Sequence, residues 1–227
     1  MSNSDGFIEE VTEELRRDQM MAKLKRYGWI GVLAVLLIVG GAAYSEYRAA
    51  QARAQAESLG DAMLGALESD DAAERVAALE TVEAPSPTAD AVLALLTASE
   101  QVAADDTDAA VASLESVSLN AEVPQVYRQI AQFKALTLQA ETLDAATRKQ
   151  GFEALSGAGG TLRLLAQEQL ALIAIQENDP ETAISTYQGI LSDAGVTPDL
   201  QQRALQVIVA LGGDPDLNGA PTDDNNG

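Results

Sequence analysis

The sequence predicts an all-α chain, with one membrane-spanning helix near the N-terminus followed by a string of paired helices. Three observations carry that prediction. From Tyr27 to Ser45 run 19 residues without a charge, YGWIGVLAVLLIVGGAAYS. Beyond Glu46 apolar residues recur at helical spacing between short polar breaks, and no segment shows strand alternation or a hairpin signal. Only 4% of the residues are aromatic while 47% are apolar, so a core has to be built from Ala, Leu and Val, which suits close-packed helices better than strands.

Composition narrows the function. The 227 residues carry 14 Lys plus Arg against 35 Asp plus Glu, a formal net charge of −21, with no His and no Cys. Without imidazole or thiol the chain lacks the usual ligands of zinc, and it cannot build Ser-His-Asp or Cys-His nucleophiles. Disulfides are excluded, and a Cys-free composition says nothing of the redox compartment. Strong acidity argues against nucleic acid, whose phosphates are bound through Lys and Arg. No pair of carboxylates is marked out for general acid–base work, because acids are spread over polar helix faces. The expectation is a protein that is not an enzyme, with no cofactor, no metal, no nucleic acid and no small-molecule substrate.

As a helix, the uncharged run spans roughly 28 Å at ~1.5 Å per residue, near the thickness of a bilayer's hydrocarbon core. Tyr27, Trp29, Tyr44 and Tyr47 stand at its ends, where amphipathic rings favour the lipid–water interface. Arg16, Arg17, Lys23, Lys25 and Arg26 precede it, whereas only Arg48 and Arg53 follow closely. Because positive residues resist translocation, the N-terminus is expected in the cytoplasm and everything after residue 46 across the membrane. A cleaved signal peptide is the competing reading, with Gly41-Ala42-Ala43 as a cutting site. Against it stand the 26 residues before the run, six of them acids, and the length of the run itself.

Residues 1–26 form an amphipathic cytoplasmic segment, with Phe7, Val11 and Leu15 at i, i+4, i+8 and Ile8 beside them. That stripe is either a docking face for a cytoplasmic partner or an ordinary juxtamembrane helix. Residues 27–45 are the expected transmembrane helix, and the Ala- and Gln-rich residues 46–68 continue it as a stalk. Residues 69–212 read as helices broken at 69–71, 84–87, 105–107, 120–124, 156–160, 178–180 and 195–198, and residues 213–227 as a disordered acidic tail.

Aligning the second helices, DAAERVAALETV, DTDAAVASLESV, ATRKQGFEALSG and DPETAISTYQGI, brings Leu79, Leu114, Phe152 and Tyr187 to one position, spaced 35, 38 and 35 residues apart. Val82, Val117, Leu155 and Ile190 follow three residues later. A helix–turn–helix unit of this length, with a small residue one turn before a large apolar one, resembles the tetratricopeptide repeat. The last unit fits best, with Leu170 and Ala171 on its first helix and Ala183 and Tyr187 on its second. The third is irregular, because Arg148 stands where a small residue is expected. All these residues pack helix on helix. The resemblance implies a solenoid whose first helices, near 88–102, 124–138 and 161–176, form a concave wall able to hold a peptide. After residue 48 stand 8 bases and 28 acids, a net charge of −20, and Lys134 and Lys149 are the only lysines. A carboxylate-gripping site is therefore not expected, and basic or neutral clients are favoured.

Two motifs carry little. SGAGGTLR at 156–163 follows a helix instead of a strand and lacks the P-loop Lys, so it reads as an interhelical loop. Asp214-Pro-Asp216-Leu-Asn218-Gly219 opens like a calcium loop, but Asn225 takes the place of the bidentate Glu.

The short charged segment, the single span, the Ala-rich stalk and the repeats together resemble the bacterial YfgM-like family, ancillary subunits of the SecYEG translocon. The likeness rests on this architecture, the opening FIEEVTEELRRDQMMAKLKRYGW and the final repeat. It implies an inner-membrane, single-pass protein whose periplasmic domain acts as an adaptor beside the translocon, binding periplasmic chaperones or unfolded secretory polypeptides. The alternative is a structural scaffold for envelope assembly or cell division that self-associates or organises a membrane complex.

Overall fold

The computed structural model describes residues 4–215, with side chains at residues 30, 33 and 35–215. Nine helices and no strand occur among the described residues, so the chain is all-α: α1 Ser4–Ala66, α2 Ala72–Leu79, α3 Pro87–Ala103, α4 Thr107–Leu119, α5 Gln125–Leu138, α6 Ala145–Gly157, α7 Arg163–Gln176, α8 Pro180–Leu191 and α9 Pro198–Ala210. The chain divides into two units, Met1–Ser58 and Leu59–Gly227.

In the first unit, the apolar run leaves its side chains uncovered: Leu36 is 64%, Leu37 68% and Ile38 72% exposed. Among the described residues, no helix is long and apolar enough to cross a membrane. The expected span is only partly covered by them, since the side chains of residues 27–29, 31, 32 and 34 lie outside the described residues. The side chains of Phe7, Ile8, Val11 and Leu15, and of Arg16, Arg17, Lys23, Lys25 and Arg26, lie outside them too.

Four aspartates set the frame of the second unit. Asp71 accepts from the amides of Ala73 and Glu74 at 2.8 and 3.2 Å, and Asp106 from Ala109 at 3.1 Å. Asp144 accepts from Thr147 N at 2.9 Å and Asp179 from Thr182 N at 3.1 Å. Each satisfies an orphan amide at the start of α2, α4, α6 or α8. Eight residues after each cap comes the aligned large side chain. Leu79, Leu114 and Phe152 are 0% and Tyr187 1% exposed.

At two of these junctions a single aspartate also closes the preceding helix. Asp105 and Asn178 take left-handed φ values of 59°, which Asp and Asn tolerate better than most residues. The next amide then turns back, Asp106 N to Gln101 O at 2.8 Å and Asp179 N to Ala174 O at 2.9 Å. This is the Schellman arrangement, so α3 ends and α4 begins across three residues, as do α7 and α8.

Each helix from α2 to α9 packs on the next in the chain, and α3 also touches α5. Small buried side chains sit at the helix contacts: Ala98 and Ala135, in one cluster, let α3 and α5 come close, and Ala171 of α7 packs with residues of α8 and α9. Met63 and Ala66, at the end of α1, pack with Leu79 and Leu93. One turn before the large residue stand Ala110 and Ala183, both fully buried, but Arg75 and Arg148 in the other two units.

The last helices are tied by a forked ion pair. Arg203 on α9 donates Nε and Nη2 to the two carboxylate oxygens of Glu168 on α7, both at 2.8 Å, and Glu168 is 8% exposed. Arg163 reaches Asp193 at 2.7 Å. The Gly195 amide, and then Arg163, hold the Asp193 carboxyl below its usual range.

Removing one partner of a buried pair costs ~3–5 kcal/mol, because the other charge stays buried and alone. The Arg203 side chain is 48% exposed, so Arg203→Ala is expected to cost about 2 kcal/mol in chemical denaturation.

Burial pushes the Tyr187 phenol up to about 12, with Glu168 adding to the effect and Arg203 opposing it. The fold thus favours the neutral phenol. Its contribution is complete below the ordinary phenol pKa of 10 and is lost as pH rises from there towards 12. Tyr187→Phe is expected to flatten the fall in stability across that window, measured by circular dichroism melts at a series of alkaline pH values.

Candidate functional site

Where α3 and α5 lie side by side, a cleft of about 210 Å³ opens between them. Ala98, Ser99 and Val102 form the α3 wall, and Phe133, Lys134, Thr137 and Leu138 the α5 wall, with Leu114 of α4 beneath. The walls are mostly apolar. Phe133 is held by an edge-on contact with Phe152 of α6, their rings 5.6 Å apart at 69°. That contact ties the wall of the cleft to the core of the next helix pair.

Beyond Leu138 lies a second cleft of about 320 Å³, which shares that side chain as a wall. Val111 and Leu138 make its apolar surface, and Asp108 and Glu141 its charged rim. The two clefts therefore present a cation at one end and two carboxylates at the other. The ion pairs among the described residues are Arg53–Glu46, Arg75–Glu100, Arg163–Asp193 and Arg203–Glu168, and none uses Lys134, Asp108 or Glu141. Helix α5 contains two bases and no acid, in a region otherwise dominated by carboxylates.

The repeat-packing residues do not form a site. Leu79, Leu114, Phe152, Ala171, Ala183 and Tyr187 are buried along successive helix pairs, and Leu170 is half-buried against the Phe152 cluster. Of these, only Leu114 borders the first cleft. Val102, Phe133 and Leu138 lie on the first helices that the sequence assigns to a peptide-holding wall, but nothing in the sequence brings them together, and Val102 and Phe133 are separated by 31 residues. The one available signal was Lys134, a rare lysine beside apolar neighbours on a predicted first helix.

Other motifs resolve simply. Gly159 and Gly160, with φ of 72° and 82°, make the turn from α6 into α7. Among the described residues, no group of three or more His, Cys, Asp or Glu could hold a metal ion. The calcium-like motif lies outside the described residues from Asp216 onward.

The cleft can be altered without dismantling the fold. Leu114→Ala, in the fully buried floor, is expected to cost about 3 kcal/mol. Val102→Asp, at a wall position 37% exposed in the last turn of α3, is expected to cost about 1 kcal/mol in thermal melts, because its carboxylate meets the negative end of the helix dipole.

Compared with protein-family models, with curated proteins and with solved structures, the chain matches none.

Proposed function

We propose that this chain is a non-enzymatic adaptor of the bacterial inner membrane. A single span at residues 27–45 anchors it, with the N-terminus in the cytoplasm and the helical region on the periplasmic face. There the helix pairs stack as a tetratricopeptide-like solenoid beside the Sec translocon and recruit periplasmic chaperones or secretory clients by protein–protein binding.

The observation that carries this reading is the pairing of two features in one chain. An apolar helical run lies uncovered, with Leu36, Leu37 and Ile38 each about two-thirds exposed, which suits lipid better than water. Downstream, an in-register set of helix pairs presents an apolar cleft on its first helices. Tethering raises the effective concentration of such a cleft at the membrane, so modest affinity is enough. Resemblance to the YfgM-like family supplies the translocon as the setting.

The test is mass spectrometry of what co-purifies with tagged full-length protein from gently solubilised membranes, with the span replaced by an unrelated one in parallel. Translocon and periplasmic chaperone proteins are expected, retained after the swap and depleted by Val102→Asp. Recovery of only division or envelope-assembly proteins would overturn the adaptor and favour a scaffold.

A further inference from the structure

We infer that the occupant of the α3–α5 cleft is a peptide segment in which an aliphatic side chain stands next to a basic one. The inference rests on the adaptor reading and gives its client a chemistry. The first cleft is apolar between Val102, Phe133 and Leu138, and its volume of about 210 Å³ has room for one or two aliphatic side chains. Leu138 is also the wall of the second cleft, so a segment lying across it reaches both.

Charge then sets the direction. Lys134 stands at the first cleft, and a cation placed beside it meets like charge. Asp108 and Glu141 stand at the second, with no ion pair among the described residues. A Lys or Arg from the client lays its aliphatic stem on Val111 and Leu138 and its charged head between those carboxylates. The arrangement attracts the basic residue at one end and repels it at the other, which fixes register as well as affinity. The net charge of −20 after residue 48 draws basic segments from a distance.

The full chain in zwitterionic-lipid nanodiscs, with empty nanodiscs as background, is titrated into three dye-labelled peptides sharing a Leu-Val-Leu core. One is flanked by Lys, one by Gln and one by Glu. Fluorescence anisotropy at low salt is expected to rank them Lys, Gln, Glu, with about tenfold between the extremes, narrowing as salt screens the rim charges. Asp108→Asn with Glu141→Gln is expected to abolish most of that gap, and Asp108→Lys with Glu141→Lys to reverse the order. Glu177→Lys with Glu181→Lys, the same charge change on α7's end and α8, is expected to keep the order.

If that remote pair shifts the ranking as much as the cleft pair, the overall field selects the peptide and the inference falls. It falls equally if the three peptides bind alike, although the adaptor reading survives when Val102→Asp still abolishes binding. Failure of the parent chain to bind any of the three overturns the adaptor reading with it.

Discussion

An aspartate that starts each second helix, with a large apolar side chain eight residues later, is the constraint on which the helical region depends. The cap decides which amide begins the helix, and ~1.5 Å per residue then carries the large side chain about 12 Å along it. Leu79, Leu114, Phe152 and Tyr187 all arrive fully buried. Were the cap displaced by one residue, the buried side chain would rotate by about 100° around the helix and leave the core. Local hydrogen bonding and tertiary packing therefore specify the same register.

One turn before the large residue, the four units differ, and the difference is physical. Ala110 and Ala183 let helices meet closely. Arg75 and Arg148 are longer and charged. Arg75 spends its donors well: Nε meets Glu100 at 2.6 Å, and Nη1 meets the carbonyls of Ser69 and Asp70 at 3.0 Å. Arg148 is 6% exposed, donates to the neutral Gln176 amide at 2.8 Å, and leaves its buried Nε without a partner. The neighbouring Gly151 fits the same crowded junction, since a Cβ there would stand 2.5 Å from Leu136 Cδ1. Leu136 lies next to Ala135, on the helix that forms the α5 wall of the cleft.

The all-helical class was legible because its signals are local. Helical spacing, Pro at the starts of α3, α8 and α9, and small polar breaks marked most junctions. The alignment of Leu79, Leu114, Phe152 and Tyr187 was readable because each sits in a short, similar segment. The aspartates at 71, 106, 144 and 179 repeat at the same 35, 38 and 35 spacing, but their capping role emerges only from the amide hydrogen bonds they accept. The turn from α5 to α6 was less visible because residues 139–144 contain neither Gly nor Pro, and Asp144 with Thr147 makes the start of α6 instead. That the first helices present a peptide-holding wall was readable from the repeat, but the side chains that line the cleft were not. The cleft is made by side chains on α3, α4 and α5 whose meeting depends on how three helices pack, which no single-segment pattern records. The forked bond between Arg203 and Glu168, 35 residues apart, escaped for the same reason.

A membrane-anchored binding domain requires the two ends of the chain to lie on opposite sides of a bilayer, and a Cys-free sequence makes that directly measurable. Single cysteines placed by Ser4→Cys and by Ser116→Cys, the latter at an exposed position on α4, are treated with a membrane-impermeant maleimide in intact spheroplasts. The account predicts that the cysteine at 116 is labelled at once and the one at 4 only after lysis, with the protein in the membrane fraction. Equal labelling of both, labelling in the reverse order, or recovery of the chain free of membranes would contradict it.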